Sequence, residues 1–236
     1  MIELDNLKTD IYTYISMVVD CNKEKKFEDS TSEYESLLAG AFGFRASYFV
    51  RGDRDENIQK VIPTITAVIN WLRNTDFYIA PASTRYHDSF RGGLLAHTLK
   101  AYHKMTELCG IYTFSGVNLG SATLCILAHD WCKIDRYELY PKSTPDANGN
   151  WIKGTAYRCK EGTLGLGHGP QSLMMLSRFC TNPLTSLSFD EMAAIRWHMY
   201  TYDVTSYDVH DLNNCGNKIP LVLLIQFADQ MAVCEN

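Results

Sequence analysis

The chain lacks most of the features that would place it in a membrane, an export pathway or a disulfide scaffold. No stretch reaches the roughly 18 uninterrupted apolar residues of a membrane-spanning helix, and the opening MIELDNLKTD carries acids where a signal peptide carries bases. A soluble, cytoplasmic protein is therefore expected. None of the eight cysteines forms a C-x-x-C pair, and several fall within apolar helical patterns, so they read as reduced core thiols and not as a zinc knuckle. Basic excess is also missing. A formal net charge of -5 repels phosphate backbones overall, which disfavours general binding of a long duplex; any phosphate-bearing ligand must be held locally, as a small nucleotide could be. There is no internal repeat and no low-complexity segment.

What is present suffices for a full core: 236 residues, 46% of them apolar, suggest one domain or one domain with an appended piece. Residues 1–75 form a helical N-terminal extension without obvious chemistry. One apolar face there is Ile11, Ile15, Val18 and Val19; another runs from Ile58 to Leu72, with Pro63 a kink or local break. Tyr34 to Phe42 suggests a shorter helix between them, and the R-G-D triplet at Arg51 to Asp53 is a charged turn without special meaning.

Residues 76–236 carry the informative punctuation. After the breaker Arg91-Gly92-Gly93, an amphipathic helix carries His97. The stretch Leu119 to Glu138 contains the unbroken apolar run Leu124 to Ala128, followed by His129 and Asp130, and reads as a central buried helix. Residues 139–167 hold too many turn formers for a helix and read as a long loop, a candidate lid, with a short hairpin at Asn148-Gly149. His168 then opens a helix with Pro170 in its first turn. A capping box of Ser188 and Glu191 starts the helix Met192 to Met199, which carries His198. A Tyr-rich loop over 200–218 precedes a last helix from Pro220, which carries Asp229.

A carboxylate buried beside an imidazole costs several kcal/mol unless both are paired, and a divalent metal would pair with both. A lone His-Asp doublet is better explained by a hydrogen-bonded core histidine and a capping aspartate. Here, however, six ionisable residues share core-facing positions: His97, His129, Asp130, His168, His198 and Asp229. Their intervals of 32, 1, 38, 30 and 31 residues are each, the doublet apart, about one helix plus one connection. An antiparallel helical bundle needs that spacing to point one ligand per helix into a common centre.

These residues carry a family resemblance. His97, His129-Asp130 and Asp229 resemble the H…HD…D set of the HD-domain superfamily of metal-dependent phosphohydrolases, an all-helical fold. Arg91-Gly92-Gly93-Leu94-Leu95-Ala96-His97-Thr98 is similar to its first ligand motif, and His129-Asp130-Trp131-Cys132-Lys133 to its second. Leu166-Gly167-His168-Gly169 and Ile195-Arg196-Trp197-His198-Met199 resemble the subset with two extra histidines, found in prophage-type uncharacterised hydrolases. The resemblance covers about residues 77–235 and implies an all-α HD-domain bundle from a bacterial or phage-encoded protein.

It also implies two divalent ions, of Mn, Fe, Co, Mg or Ni. The first would be held by His97, His129, Asp130 and Asp229; Asp130 would bridge to a second, completed by His168 and His198. Two such ions, two carboxylates and a bridging hydroxide leave one net positive charge for a phosphoryl group. The implied reaction is hydrolysis of a phosphate ester or anhydride of a nucleotide or similar small molecule through that hydroxide, with Asp130 and Lys133 as catalytic residues. Lys133 lies one turn beyond Asp130 and would neutralise charge on the phosphorus oxygens. Arg91, Arg136 and His87 are weaker substrate-binding candidates, His87 as a proton donor to the leaving group or as a residue that orders its turn. The alternatives are a 3'-5' exonuclease on single-stranded nucleic acid, a di-iron oxygenase built on the same ligands, and a non-catalytic nucleotide-binding protein. A homo-oligomer is compatible with the sequence.

Overall fold

The computed structural model describes residues 27–145, 149–163 and 165–234; the helical face of Ile11, Ile15, Val18 and Val19 lies outside them. The protein is all-α with one small hairpin, as expected. Among the described residues the order is α1 (Phe27–Phe49), α2 (Arg54–Arg73), α3 (Gly93–Ile111), α4 (Leu119–Ala128), a 3-10 turn (Trp131–Lys133), β1 (Tyr137–Pro145), β2 (Trp151–Cys159), α5 (His168–Ser177), α6 (Phe189–Trp197), a 3-10 turn (Tyr200–Asp203), α7 (Val209–Lys218) and α8 (Pro220–Cys234). No helix among them is long and apolar enough to cross a membrane.

The most apolar segment takes the centre. α4 is buried along Gly120 to Ala128, with α1, α3, α6 and α8 packed around it. Leu124, Ile126 and Leu127 are wholly buried, and each contributes about 1.5–3 kcal/mol by leaving water. Residues 27–73, set apart by the sequence as an extension, share this core: Tyr34, Leu38, Phe42, Val61 and Leu72 belong to the same apolar cluster as α4. Tyr34 also donates its hydroxyl hydrogen to the carbonyl of Leu127 (2.8 Å) and accepts from Trp131 Nε1 (2.9 Å). α1 thereby satisfies a carbonyl that the end of α4 leaves free.

Five local expectations change. α1 is longer than the Tyr34–Phe42 pattern. α2 continues through Pro63, which sits on its exposed side, where the carbonyl freed by the missing N–H can meet water. The hairpin extends well beyond Asn148-Gly149, from Tyr137 paired with Cys159 to Pro145 paired with Trp151; Pro141 is tolerated because a two-stranded ribbon has a free edge on each strand. The 200–218 segment contains α7, whose single buried residue is Leu212, too faint an apolar signal to mark a helix among its polar neighbours. Finally, Cys159 and Cys234 are exposed rather than core thiols, although all the described cysteines are unpaired.

Candidate metal centre

The largest departure concerns the doublet. α4 ends at Ala128, so His129 is its C-terminal cap and Asp130 (φ -106°, ψ 16°) turns the chain into the 3-10 segment. His198 caps α6 in the same way. His129 does not ride mid-helix as the apolar run implied, and the reason is local hydrogen bonding of a kind that His198 shares. His129 Nδ1 lies 2.6 Å from the Ile126 carbonyl and His198 Nδ1 2.8 Å from the Ile195 carbonyl. Each imidazole thus satisfies a carbonyl orphaned at its own helix end, which fixes the ring and directs Nε2 inward.

The inward atoms converge. His97 Nε2 is 3.0 Å from Asp229 Oδ1 and 3.5 Å from Asp130 Oδ2; His129 Nε2 is 3.6 Å and 3.4 Å from the same two oxygens. On the other side of Asp130, His198 Nε2 is 3.7 Å from Oδ1. His97, His129, Asp130, His198 and Asp229 are buried, and His168 is half-buried at the mouth of α5. Ligand atoms of His97, His129 and Asp229 form one compact group, and those of Asp130, Cys132 and His168 a second. All six residues singled out from the sequence are therefore brought to one centre, with the two Asp130 oxygens facing different partners.

Two glycines permit this approach. A Cβ at Gly93 would overlap the Asp88 carbonyl, and one at Gly169 would overlap the Arg196 carbonyl. The second contact seats the start of α5 against α6, bringing His168 toward His198. Asp203 completes the join by accepting the Gly169 N–H (3.1 Å), while Ser172 Oγ accepts the Cys132 N–H (3.0 Å). On α8, Gln226 donates to the Trp197 carbonyl (2.8 Å), fixing the helix that bears Asp229 against the end of α6.

Two residues of the centre escaped the sequence reading. Asp88 Oδ2 stands 3.8 Å behind His97 Nδ1, beyond hydrogen-bond distance and with neither atom otherwise partnered, while Lys100 Nζ holds its Oδ1 at 2.7 Å. Cys132 is the other, with its sulfur near Asp130 and His168. The cue for Asp88 was its place three residues before the Arg91-Gly92-Gly93 breaker; for Cys132 it was only its place two residues after the doublet.

The expected substrate-binding residues separate. Lys133 is buried and its ammonium lies 2.6 Å from Asp130 Oδ2, so the carboxylate already engages it. Arg136 has a buried Nη1 without a hydrogen-bond partner and lies close enough to His168 to influence its charge. His87 packs beside His97 with ring centres 4.8 Å apart; burial, then the neighbouring His97, lower it to about 4, leaving it neutral at pH 7 and unsuited to donating a proton. Arg91 is exposed and faces a separate groove between the 84–91 segment and the hairpin.

Metal-free, the centre neutralises itself. Burial disfavours charge on His129, but the Asp130 and Asp229 carboxylates outweigh it and hold the imidazole up at about 10. Burial likewise opposes ionisation of Asp130 and Asp229. Lys133 and His129 override it for Asp130, and His129 and His97 for Asp229, so both stay well below the usual carboxylate range. Two carboxylates thus face one ammonium and one imidazolium. The donor set fits divalent metal: the inward Nε2 atoms of His129 and His198 and Oδ1 of Asp130 are buried without a hydrogen-bond partner, and imidazole with carboxylate suits such ions.

A pH dependence follows. Protonated His129 stabilises the metal-free fold fully below its unfolded value of about 6.5, and that contribution is lost as pH rises through its folded value of about 10. Metal must displace the proton, so below that value each pH unit gained strengthens metal binding by about 1.4 kcal/mol per proton released. The gap in melting temperature between metal-supplemented and chelated protein should widen from pH 6.5 to 8.5. An equal gap at both values would exclude this coupling.

The chain matches no family model, no curated protein and no solved structure.

Proposed function

We propose that the protein is an HD-type, metal-dependent phosphohydrolase acting on a phosphate ester or anhydride of a nucleotide or related molecule. The observation that carries this reading is the pair of carbonyl-anchored imidazoles, His129 and His198, whose unpartnered Nε2 atoms approach opposite oxygens of buried Asp130. His97, His129 and Asp229 would hold one divalent ion, His168 and His198 a second, and Asp130 would bridge them. Two such ions supply Lewis acidity and an activated water at neutral pH.

The chain's own groups do the remaining work. Lys133 holds the bridging carboxylate in place, a positioning role rather than the direct phosphoryl contact its spacing suggested. That contact falls to Arg136, whose unpartnered Nη1 beside His168 can accept a phosphoryl oxygen as partner. Asp88 places a carboxylate behind His97, and neutral His87 can accept a hydrogen bond from substrate.

The test is release of phosphate or nucleoside from a nucleotide panel supplemented in turn with Mn, Fe, Co, Mg or Ni, comparing wild type with Arg136→Gln and Lys133→Met. Arg136→Gln should lose on the order of 100-fold in kcat, the scale of removing one charge-stabilising donor, with metal content unchanged. Wild type inert across the panel while still binding nucleotide would mark a non-catalytic binding protein. Oxygen consumption by the iron-loaded protein, with no phosphate released, would mark an oxygenase.

A further inference from the structure

We infer that Cys132 supplies a thiolate to the second metal position, which therefore selects a thiophilic divalent ion of the Fe, Co and Zn class over Mg or Mn. The sulfur's role rests on the two-ion reading of the centre and not on the reaction assigned to it. Ligand atoms of Asp130, Cys132 and His168 all lie within 4.8 Å of one another. Small side-chain shifts close such separations onto one ion, whose bonds run about 2.0–2.1 Å to nitrogen and about 2.3 Å to sulfur. His198 approaches the same carboxylate, its Nε2 3.7 Å from Asp130 Oδ1, and both of those atoms are buried without a hydrogen-bond partner. Two imidazoles, one carboxylate and one sulfur thus gather on this side of the centre, a donor set of the kind that holds Zn.

The placement follows from how α4 ends. On a continuous helix, residues two apart point to different faces and could not share an ion. Because α4 stops at Ala128 and Asp130 turns the chain into the 3-10 segment Trp131–Lys133, the side chains of Asp130 and Cys132 reach one ligand group. α5 then fixes the spacing, for the Cys132 N–H donates to Ser172 Oγ (3.0 Å) and Ser172 lies one turn beyond His168. The bond that seats the cysteine backbone therefore also sets its distance from the histidine.

A buried thiol needs no metal to be stable, and Cys125 is the ordinary case. It is wholly buried, but its thiol donates to the Glu191 carbonyl (3.7 Å), and it belongs to no ligand group among the described residues. Cys132 is equally buried, yet its sulfur stands beside a carboxylate and an imidazole. Burial raises the free thiol to about 12, so without metal it keeps its proton at pH 7. A coordinating divalent ion deprotonates a thiol outright; the S–H bond gives way to a sulfur–metal bond and the proton leaves to water. Thiolate is a soft ligand, whereas Mg and Mn suit carboxylate, carbonyl and water oxygens, and this sets the ion class. The group of His97, His129 and Asp229 contains no sulfur and makes no such selection.

The experiment titrates chelated and dialysed full-length protein with Co in the absence of oxygen, reading metal uptake together with the near-ultraviolet thiolate-to-cobalt charge-transfer band. Wild type should take up two equivalents, one of them accompanied by the band. Cys132→Ser should abolish the band and weaken that equivalent by more than the roughly 10–100-fold lost with an outer-shell partner, while the other equivalent is retained. Its preference for Co over Mn at the weakened position should shrink as well. His168→Ala changes a half-buried side chain and leaves the thiol in place, so its loss of the band would support the assignment even if Cys132→Ser folds poorly. A band that survives in either variant, two equivalents taken up by wild type without a band, or an unchanged Co-over-Mn preference in Cys132→Ser would overturn the thiolate. Phosphate release by a wild type that shows no band would sink the thiolate alone, whereas two equivalents and the band without phosphate release under any metal would sink the hydrolase reading alone.

Discussion

Asp130→Ala should leave the protein without metal at either position and lower turnover by well beyond the roughly 100-fold typical of outer-shell changes. The expectation comes from the position of its two oxygens: Oδ2 faces His97, His129 and Lys133, and Oδ1 faces His198. Among the described residues, no other carboxylate stands between the two groups of donors. The substitution also strands Lys133, a buried ammonium whose other neighbours are neutral, and an uncompensated buried charge costs about 3–5 kcal/mol. His129 would lose the strongest of the influences that raise it.

Loss of metal could therefore arise from unfolding alone, and Asp130→Ala/Lys133→Met separates the two causes. It removes the stranded charge, so stability should largely return, while metal content by elemental analysis stays near zero. Two equivalents of metal in Asp130→Ala would exclude the bridging role. Single substitution of His168 or His198 should instead remove mainly one ion, since His97, His129 and Asp229 remain as a complete group; retention of both ions would reduce the centre to one required position.

The elements that carry His97, His168, His198 and Asp229 were legible because each pairs an apolar period with a sharp boundary: a double glycine, a first-turn proline, a capping box, a proline start. The capping box is present as read, with the Ser188 N–H and Glu191 carboxylate 2.8 Å apart. What stayed hidden were features decided by contacts distant in sequence. That α4 stops at Ala128 depends on Tyr34 and on a side chain folding back to Ile126, neither of which leaves a periodic trace. α7 buries one residue, so its pattern is that of a loop. Lys133 showed that helical spacing alone could not distinguish a free cation from one held by its neighbour, because both sit on the same face. The role of residues 27–73 was hidden for the same reason: their apolar faces were plain, but not that Tyr34 reaches the end of the metal-bearing helix.

Arg45 and Glu191 follow that pattern, and substituting either should produce the largest stability change outside the metal centre. Arg45 is 2% exposed on α1, and its Nε and Nη2 donate to Glu191 at 2.5 Å and 2.8 Å, while Nη2 also donates to the Ser186 carbonyl. Glu191 is wholly buried and its Oε2 also accepts the Ser188 N–H, so one carboxylate closes the capping box and receives the guanidinium. Arg45→Met removes the cation and leaves that carboxylate buried, costing about 3–5 kcal/mol; for a chain of this size the melting temperature should fall on the order of 10 °C. The exposed pair Lys60 and Glu56, at 2.7 Å, provides the contrast: equally close, yet worth only about 0.3–0.5 kcal/mol because water screens it. Arg45→Met/Glu191→Gln should recover much of the loss, because the remaining amide is neutral and can still serve the cap. A loss in Arg45→Met no larger than in Lys60→Met would show that water reaches the pair. Because α6 ends at His198, the same substitution should also weaken the second metal position while leaving the first filled, a pattern that general destabilisation would not produce.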